Sequence, residues 1–238
     1  MLLSVIIPIY NEEKTLKKLV QKVADTPLDK EIILVNDGSS DGSQNIIDIL
    51  KKTFENQELP SSVKNLQVIH KTRNEGKGSA VRTGIAMATG DIVLIQDADL
   101  ELDPSEYPKL LEPFEKNGVN IVFGSRFLSP TGIKKISSTM YFANWFLTKL
   151  SNILSGTHLT DEATCYKVFR REVVQSFRLT SNRFGICPEL IAQSAKSGNR
   201  IIEVPISYHP RTRDGGKKIR FKDGIGAIFD IIRFNLFS

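Results

Sequence analysis

Asp97, Asp99 and Glu101 stand at alternating positions directly after an apolar run, within the stretch Gly90 to Leu102, GDIVLIQDADLEL. Carboxylate oxygens so closely spaced suit a hard divalent cation, and acids of this kind also suit a solvated turn or a helix cap. The element that carries them bears on the choice. Ile92 to Ile95 is aliphatic and largely β-branched, as expected for a parallel strand buried on both faces. Ligands of open α/β sheets bind beyond the carboxyl ends of the strands, where this strand releases its acids.

The rest of the chain supplies partners for that strand. Leu2–Pro8, Glu31–Asn36, Leu66–His70 and Val119–Phe123 read as strands, with helical spacing over Glu12–Ala24, Ser43–Phe54, Ser79–Ala88 and Pro104–Lys116. This alternation predicts an α/β fold with right-handed crossovers, a mostly parallel sheet and helices on both faces. The loops after the strands then share one edge, which brings Asp37 and Lys77 to the acids. Beyond Arg126 the pattern changes. Thr139–Leu154 is amphipathic and rich in aromatics (Tyr141, Phe142, Trp145, Phe146), with Lys134 and Lys135 just before it. Packing against the sheet is the default for such a stripe, while a basic entry and an aromatic face also suit lipid headgroups. Thr164–Arg170 and Arg200–Val204 then read as strands; Arg171–Phe177, Pro188–Ser197 and Asp223–Phe237 read as helices.

A chain of 238 residues, 25% charged and 40% hydrophobic, fits one large folded domain and argues against disorder. The net charge of +5 matters less than its placement, because Arg211, Arg213, Lys217, Lys218, Arg220 and Lys222 cluster near the end. Such a cluster suits phosphate, a membrane surface or nucleic acid. Cys165 and Cys187 have no metal-ligand spacing and read as reduced thiols of a cytoplasmic protein. No apolar stretch reaches the roughly 18 to 20 residues that span a bilayer, so contact with a membrane is expected to be peripheral, on its cytoplasmic face. His70, His158 and His209 are scattered and read as structural; Glu189 reads as a first-turn helix acid.

Several motifs occur in a telling order: VIIPIYNEE at Val5 to Glu13, VNDGSSDG at Val35 to Gly42, NEGKGSAVRTG at Asn74 to Gly84 and QDADLE at Gln96 to Glu101. GSRF follows at Gly124 to Phe127, DEATCYKVF at Asp161 to Phe169 and EVPISYHPRTRDGGKKI at Glu203 to Ile219. Together they resemble the family-2 glycosyltransferases of the GT-A fold, in particular the dolichyl-phosphate mannose synthase and bacterial polyprenyl-phosphate hexosyltransferase branch.

The resemblance implies a single domain over residues 1–238, with a nucleotide-sugar half at 1–125 and an acceptor side at 126–238. It implies that Pro8, Tyr10, Glu12, Asp37 and Ser39 surround the base and ribose, and that Lys77, Gln96, Asp97 and Ala98 complete the nucleotide site. A glycine-rich turn at a helix start, as around Lys77, also offers backbone N–H groups to an anion. Magnesium or manganese would be held by Asp97, Asp99 and Glu101, although glutamine is common at the last position in the lipid-phosphate branch. Arg126, with Lys134 or Lys135, would hold an acceptor phosphate, and Arg211 and Lys217 would close over the donor diphosphate. Here Arg211-Thr-Arg-Asp-Gly-Gly-Lys217 departs from the mannose-synthase pattern Arg-x-x-Gly-x-Ser-Lys, which leaves the sugar and acceptor open.

The implied reaction is inverting, metal-dependent transfer of a hexose from a GDP-mannose or UDP-glucose type of donor to a polyprenyl or dolichyl phosphate. Asp99, Asp161 and Arg126 would form its catalytic set, with Asp161 either a base or an orienting group. Nucleic acid is not an expected partner, and the sequence carries no sign of an oligomeric state. Transfer to a glycan hydroxyl, sugar nucleotidyl transfer and non-catalytic binding of a nucleotide sugar are the rival readings.

Overall fold

The computed structural model describes residues 1–133, 135–211 and 221–237. Its strands are β1 (Leu3–Ile9), β2 (Lys30–Asn36), β3 (Val63–His70), β4 (Ile92–Ile95), β5 (Ile121–Ser125), β6 (Lys167–Arg170) and β7 (Ile201–Pro205). They form one sheet in the order β3-β2-β1-β4-β6-β5-β7. All pairs are parallel except those of β6, which runs antiparallel to both β4 and β5. The helices are α1 (Leu16–Ala24), α2 (Ser43–Glu55), α3 (Lys77–Met87), α4 (Tyr107–Leu111), α5 (Pro130–Ile133), α6 (Ser138–Ser155), α7 (Arg171–Ser176), α8 (Ile186–Lys196) and α9 (Phe221–Leu236).

Helix packing buries both faces of the sheet. Val5, Ile7, Leu34 and Leu94 sit in one core cluster and Ile6, Ile33, Val93 and Ile95 in the other. Each fully buried aliphatic contributes about 1.5–3 kcal/mol, so the middle strands drive assembly. At their N-terminal edge the buried Glu31 accepts from Ser4 Oγ, Gln67 Nε2, Thr89 N, Thr89 Oγ1 and Gly90 N. Burial works against this carboxylate, but those donors together hold it below its ordinary pKa.

The opposite edge collects the polar loops, and the reversed strand extends the collection. Parallel strands deliver the residues that follow them, whereas β6 delivers the residues that precede it, Asp161 to Tyr166.

Two elements differ from the sequence expectation. Pro104–Lys116 is not one helix: it is a 3₁₀ turn at Pro104–Glu106, α4, and another 3₁₀ turn at Glu112–Glu115. Pro108 and Pro113 each remove a helical N–H. Helix α6 is inverted relative to the default packing. Asn144, Thr148 and Ser151 are its buried residues, while Phe142, Trp145, Phe146 and Ile153 are exposed. The reason lies in the loop that α6 covers. Thr148 Oγ1 accepts from Glu162 N at 3.1 Å and Asn144 Oδ1 from Ala163 N at 3.3 Å, so the inner face satisfies backbone donors that have no sheet partner.

Helix α3 lies close on β1 because position 84 is glycine. A Cβ there would stand 2.3 Å from Ile6 Cγ2. Gly84→Ala should therefore lower stability by about 1–3 kcal/mol through overpacking, less whatever alanine returns in helix propensity. The measurement is urea unfolding, with a lower midpoint at unchanged slope; an unaltered midpoint would mean that α3 shifts freely on the sheet.

Candidate active site

The loop after β4 places the acids under constraint. Leu100 adopts a φ of 62°, the left-handed region that branched residues avoid, and Glu101 N then donates to Asp99 Oδ1 at 3.0 Å. Lys77, the first residue of α3, sets its Nζ 2.6 Å from Asp97 Oδ1 and 3.2 Å from Cys165 Sγ. Burial alone would raise the Asp97 pKa, but the Lys77 ammonium brings it below the ordinary carboxylate value. Asp99 behaves in the opposite way. Burial, then repulsion from Asp97 and Glu101, pushes it up to about 7.

Protein cations answer this crowding. Arg211, six residues beyond β7, places Nη1 3.0 Å from Glu12 Oε2 and Nη2 3.2 Å from Asp99 Oδ2, and its backbone N donates to Glu101 Oε1 at 2.9 Å. Tyr208 Oη lies 3.2 Å from Glu101 Oε2. With Lys77 on Asp97 and Arg211 on the other two acids, no three His, Cys, Asp or Glu side chains among the described residues are gathered as a ready metal cage. The donor set still fits a hard divalent ion: three oxygen-bearing acids on one short loop, one with its ionisation opposed by the others.

A second charged pair lies beside the first. Arg126, just past β5, donates from Nε and from Nη2 to the two oxygens of Asp161, each at 2.7 Å. Its backbone N adds a third bond at 3.1 Å, and Glu203 receives Asp161 N at 3.3 Å. Burial would weaken the guanidinium's hold on its proton, yet Asp161 outweighs that and raises the Arg126 pKa further. The guanidinium sits 5.1 Å from the Tyr208 ring centroid and 6.0 Å from that of Phe127. Phe127 contacts Tyr141 at 5.4 Å and Tyr141 contacts Phe142 at 5.8 Å. An aromatic path thus runs from Arg126 to the outer face of α6.

The remaining expected nucleotide residues fall at several depths. Tyr10 is exposed past the end of β1, and Pro8 is half-buried within it. Ser39 Oγ accepts from Asn11 N at 3.0 Å, tying the loops after β1 and β2. Asp37 accepts from Gly76 N at 2.7 Å and Glu75 N at 3.2 Å, so amides at the start of α3 already face a carboxylate. Gly76 and Gly78 serve contact with another segment: a Cβ on either would stand 2.4 Å from a carbonyl oxygen of Asn182 or Ser181. Glu189 holds that segment through Thr180 N and Ser181 N, in keeping with a structural reading. Gln96 is fully buried behind Asp97, accepting from the Tyr107 and Tyr166 hydroxyls and donating to Asp97 O. Ala98 faces the core. Both therefore support the acid loop from within rather than standing at the rim. Lys134 and Lys217 lie outside the described residues; Lys135 Nζ is 3.0 Å from His209 Nδ1.

Sequence reasoning read Cys165 only as a reduced thiol and passed over Tyr208 and Glu203 as individuals, although each lies inside a quoted motif. Their importance comes from the reversed strand and from the loop after β7, which motif order alone does not position.

Residues 4–178 match the family described as Glycosyl transferase family 2, and the chain belongs to that family. Its sheet and helices have the Rossmann-like GT-A arrangement. The chain is 31% identical to the dolichol-phosphate mannosyltransferase of Pyrococcus furiosus, over 98% of this chain and 62% of that protein. It is 27% identical to the dodecaprenyl-phosphate galacturonate synthase of Rhizobium johnstonii, over 97% of this chain and 64% of that one. It thus spans a little under two thirds of the length of these curated relatives. Among solved structures, glucosyl-3-phosphoglycerate synthase from Mycobacterium tuberculosis with Mg2+ and UDP superposes with a TM-score of 0.67 at 18% identity, covering 98% of this chain and 79% of that one. The same enzyme with Mn2+, UDP and its glucosylated product gives 0.67 at 19% identity, covering 98% and 77%. These two likenesses concern the fold.

Beside Asp161, Glu162 is buried, and its Oε1 has no hydrogen-bond partner among the described residues. Burial raises its pKa to about 7, against relief from Lys167. Between the ordinary carboxyl range and that value, the folded protein keeps a proton that the unfolded chain has released. Stability from this group is therefore full at low pH and lost as pH rises through 7. Urea midpoints measured from about pH 5 to 8 should fall less steeply in Glu162→Gln than in the wild type; equal slopes would remove Glu162 as the cause.

Proposed function

We propose that this protein is an inverting, metal-dependent hexosyltransferase that moves a sugar from a nucleotide donor to a polyprenyl or dolichyl phosphate. The observation that carries the acceptor assignment is the Arg126–Asp161 pair. Both Asp161 oxygens are engaged by one guanidinium, a state suited to orienting Arg126 and poorly suited to taking a proton. A glycan hydroxyl needs a base. A phosphomonoester has a second pKa near 6 and arrives ionised, so its oxygen attacks unaided. The new bond joins that oxygen to the anomeric carbon; the old bond from that carbon to the donor diphosphate breaks, its electron pair leaving with the diphosphate. No proton has to be moved at the attacking atom.

On this reading Asp97, Asp99 and Glu101 would hold magnesium or manganese, whose charge would stabilise the departing diphosphate. Lys77 and Arg211 lie beside these acids and bring positive charge to the same place. Pro8, Tyr10, Glu12, Asp37 and Ser39 take the nucleoside side, and Arg126 binds the acceptor phosphate through the guanidinium N–H groups that it does not give to Asp161.

The exposed face of α6 supports a lipid acceptor over a small soluble phosphate. Its neighbour α9 adds Ile225, Phe229, Ile232 and Leu236 to the exposed apolar side chains. No helix among the described residues is long and apolar enough to cross a membrane. The reading is therefore of an apolar face resting on the bilayer surface beside the phosphate site, with Lys135 and Lys149 as cationic neighbours.

A panel of nucleotide sugars assayed for nucleoside diphosphate release, with undecaprenyl phosphate and Mn2+, tests the chemistry. Asp99→Asn should lose at least 100-fold in turnover, on the order expected for removing a key electrostatic element. Arg126→Ala should chiefly weaken acceptor saturation; unaltered acceptor saturation would remove the lipid-phosphate assignment, and faster turnover with phosphoglycerate would move it to a soluble acceptor. Separately, flotation with anionic vesicles should recover the wild type, while Phe142→Ser/Trp145→Ser should stay in the soluble fraction. Equal recovery would place membrane contact elsewhere.

A further inference from the structure

The contact between Arg211 and the acids has a shape of its own. One guanidinium reaches two loops, that after β1 through Glu12 and that after β4 through Asp99 and Glu101. On Glu12 the fork is uneven, at 3.0 and 3.5 Å. Nε is buried without a hydrogen bond among the described residues, and its nearby carboxylate oxygen, Glu101 Oε1, is 3.9 Å away. The Arg211 side chain is only 16% exposed, so its charge is poorly screened by solvent. This arginine offsets part of the cluster's charge and leaves its own Nε without a hydrogen bond among the described residues.

A divalent ion on the same acids needs their oxygens at about 2.0–2.6 Å. Asp99 Oδ2 is already 3.2 Å from a guanidinium nitrogen, and Glu101 Oε1 already accepts from the Arg211 backbone. Two cations cannot hold these oxygens together without strong repulsion. A nucleoside diphosphate alters the balance, because it offers Arg211 oxygens better suited to a planar fork and brings the ion negative charge of its own. The left-handed turn at Leu100 keeps Asp99 and Glu101 on one short arc, so both are released when Arg211 leaves.

Resting on the metal reading above, we propose that Arg211 is a built-in placeholder for the divalent ion. It occupies Glu12, Asp99 and Glu101 until the donor arrives, then passes to the diphosphate, so that metal and nucleotide enter together. The metal affinity of the protein alone is accordingly low and is coupled to the nucleotide through this one side chain.

The test is Mn2+ binding to the full chain, followed by electron paramagnetic resonance of the free ion, alone and with GDP or UDP. Wild type should bind Mn2+ weakly by itself and at least tenfold more tightly with its preferred diphosphate. Arg211→Gln should bind Mn2+ alone at least tenfold more tightly than wild type and gain less from the nucleotide; Arg211→Lys, with a shorter reach, should lie between them. Asp99→Asn should lose binding in both conditions. Should Arg211→Gln and Arg211→Lys match wild type while Asp99→Asn still loses Mn2+, the placeholder is overturned and the metal reading stands. Should Asp99→Asn bind Mn2+ as wild type does, the metal reading falls and the placeholder falls with it. Urea midpoints for each variant confirm that a folded protein is being compared.

Discussion

Like charges gathered in a place that water barely reaches are the constraint around which this molecule is arranged. Asp97, Asp99 and Glu101 share one short loop, and burial together with repulsion from its two neighbours disfavours the ionisation of Asp99. Isolated, such a group would neutralise itself by taking up protons. Instead, Lys77 reaches in from the start of α3 and Arg211 from the segment after β7. These two cations follow the two edge strands of the sheet, β3 and β7, so the charge balance at the rim requires the whole sheet to be assembled. Fold and site are in this sense one problem.

The same logic governs the neighbouring pair. A guanidinium buried beside a carboxylate is costly to separate, because either partner left alone would face the interior unpaired. Arg126 and Asp161 come from loops flanking adjacent strands that run in opposite directions. Tyr208 then joins the two charged groups, its ring under Arg126 and its hydroxyl on Glu101. What looks like two sites along the sequence is a continuous polar rim in space.

Much of this was legible beforehand, and for identifiable reasons. Ile92–Ile95 is a four-residue apolar run with acids at its end, and the structure returns that strand with the same boundaries. The alternation of periods located β1 to β5 to within a few residues, because buried parallel strands have little other composition open to them. Three things were not legible. Periodicity identifies an apolar stripe but not its direction, and α6 turns its polar stripe inward to serve the backbone of residues 162–163. Glycines near a helix start suggest room for an anion, whereas Gly76 and Gly78 make room for residues 181–182. Gln96 sits in a motif beside two acids, yet its neighbours across the sheet, Tyr107 and Tyr166, claim it for the interior. Each of these features depends on a contact between residues distant in sequence, which no local pattern encodes.

The reversed strand has a further consequence. Because β5 ends at the rim and β6, its antiparallel partner, begins there, residues 126–166 form an excursion that leaves the sheet and rejoins it at the same edge. Helices α5 and α6 are carried on this detour, while the strands on either side pair directly with each other. Between its feet, which Arg126 and Asp161 tie together at the rim, this detour lies outside the sheet, so a change in its length leaves the strand that carries the acids beyond β4 in place. The architecture thus separates the loops that follow β1 to β4 from the segment between β5 and β6, and lets the two diverge at different speeds.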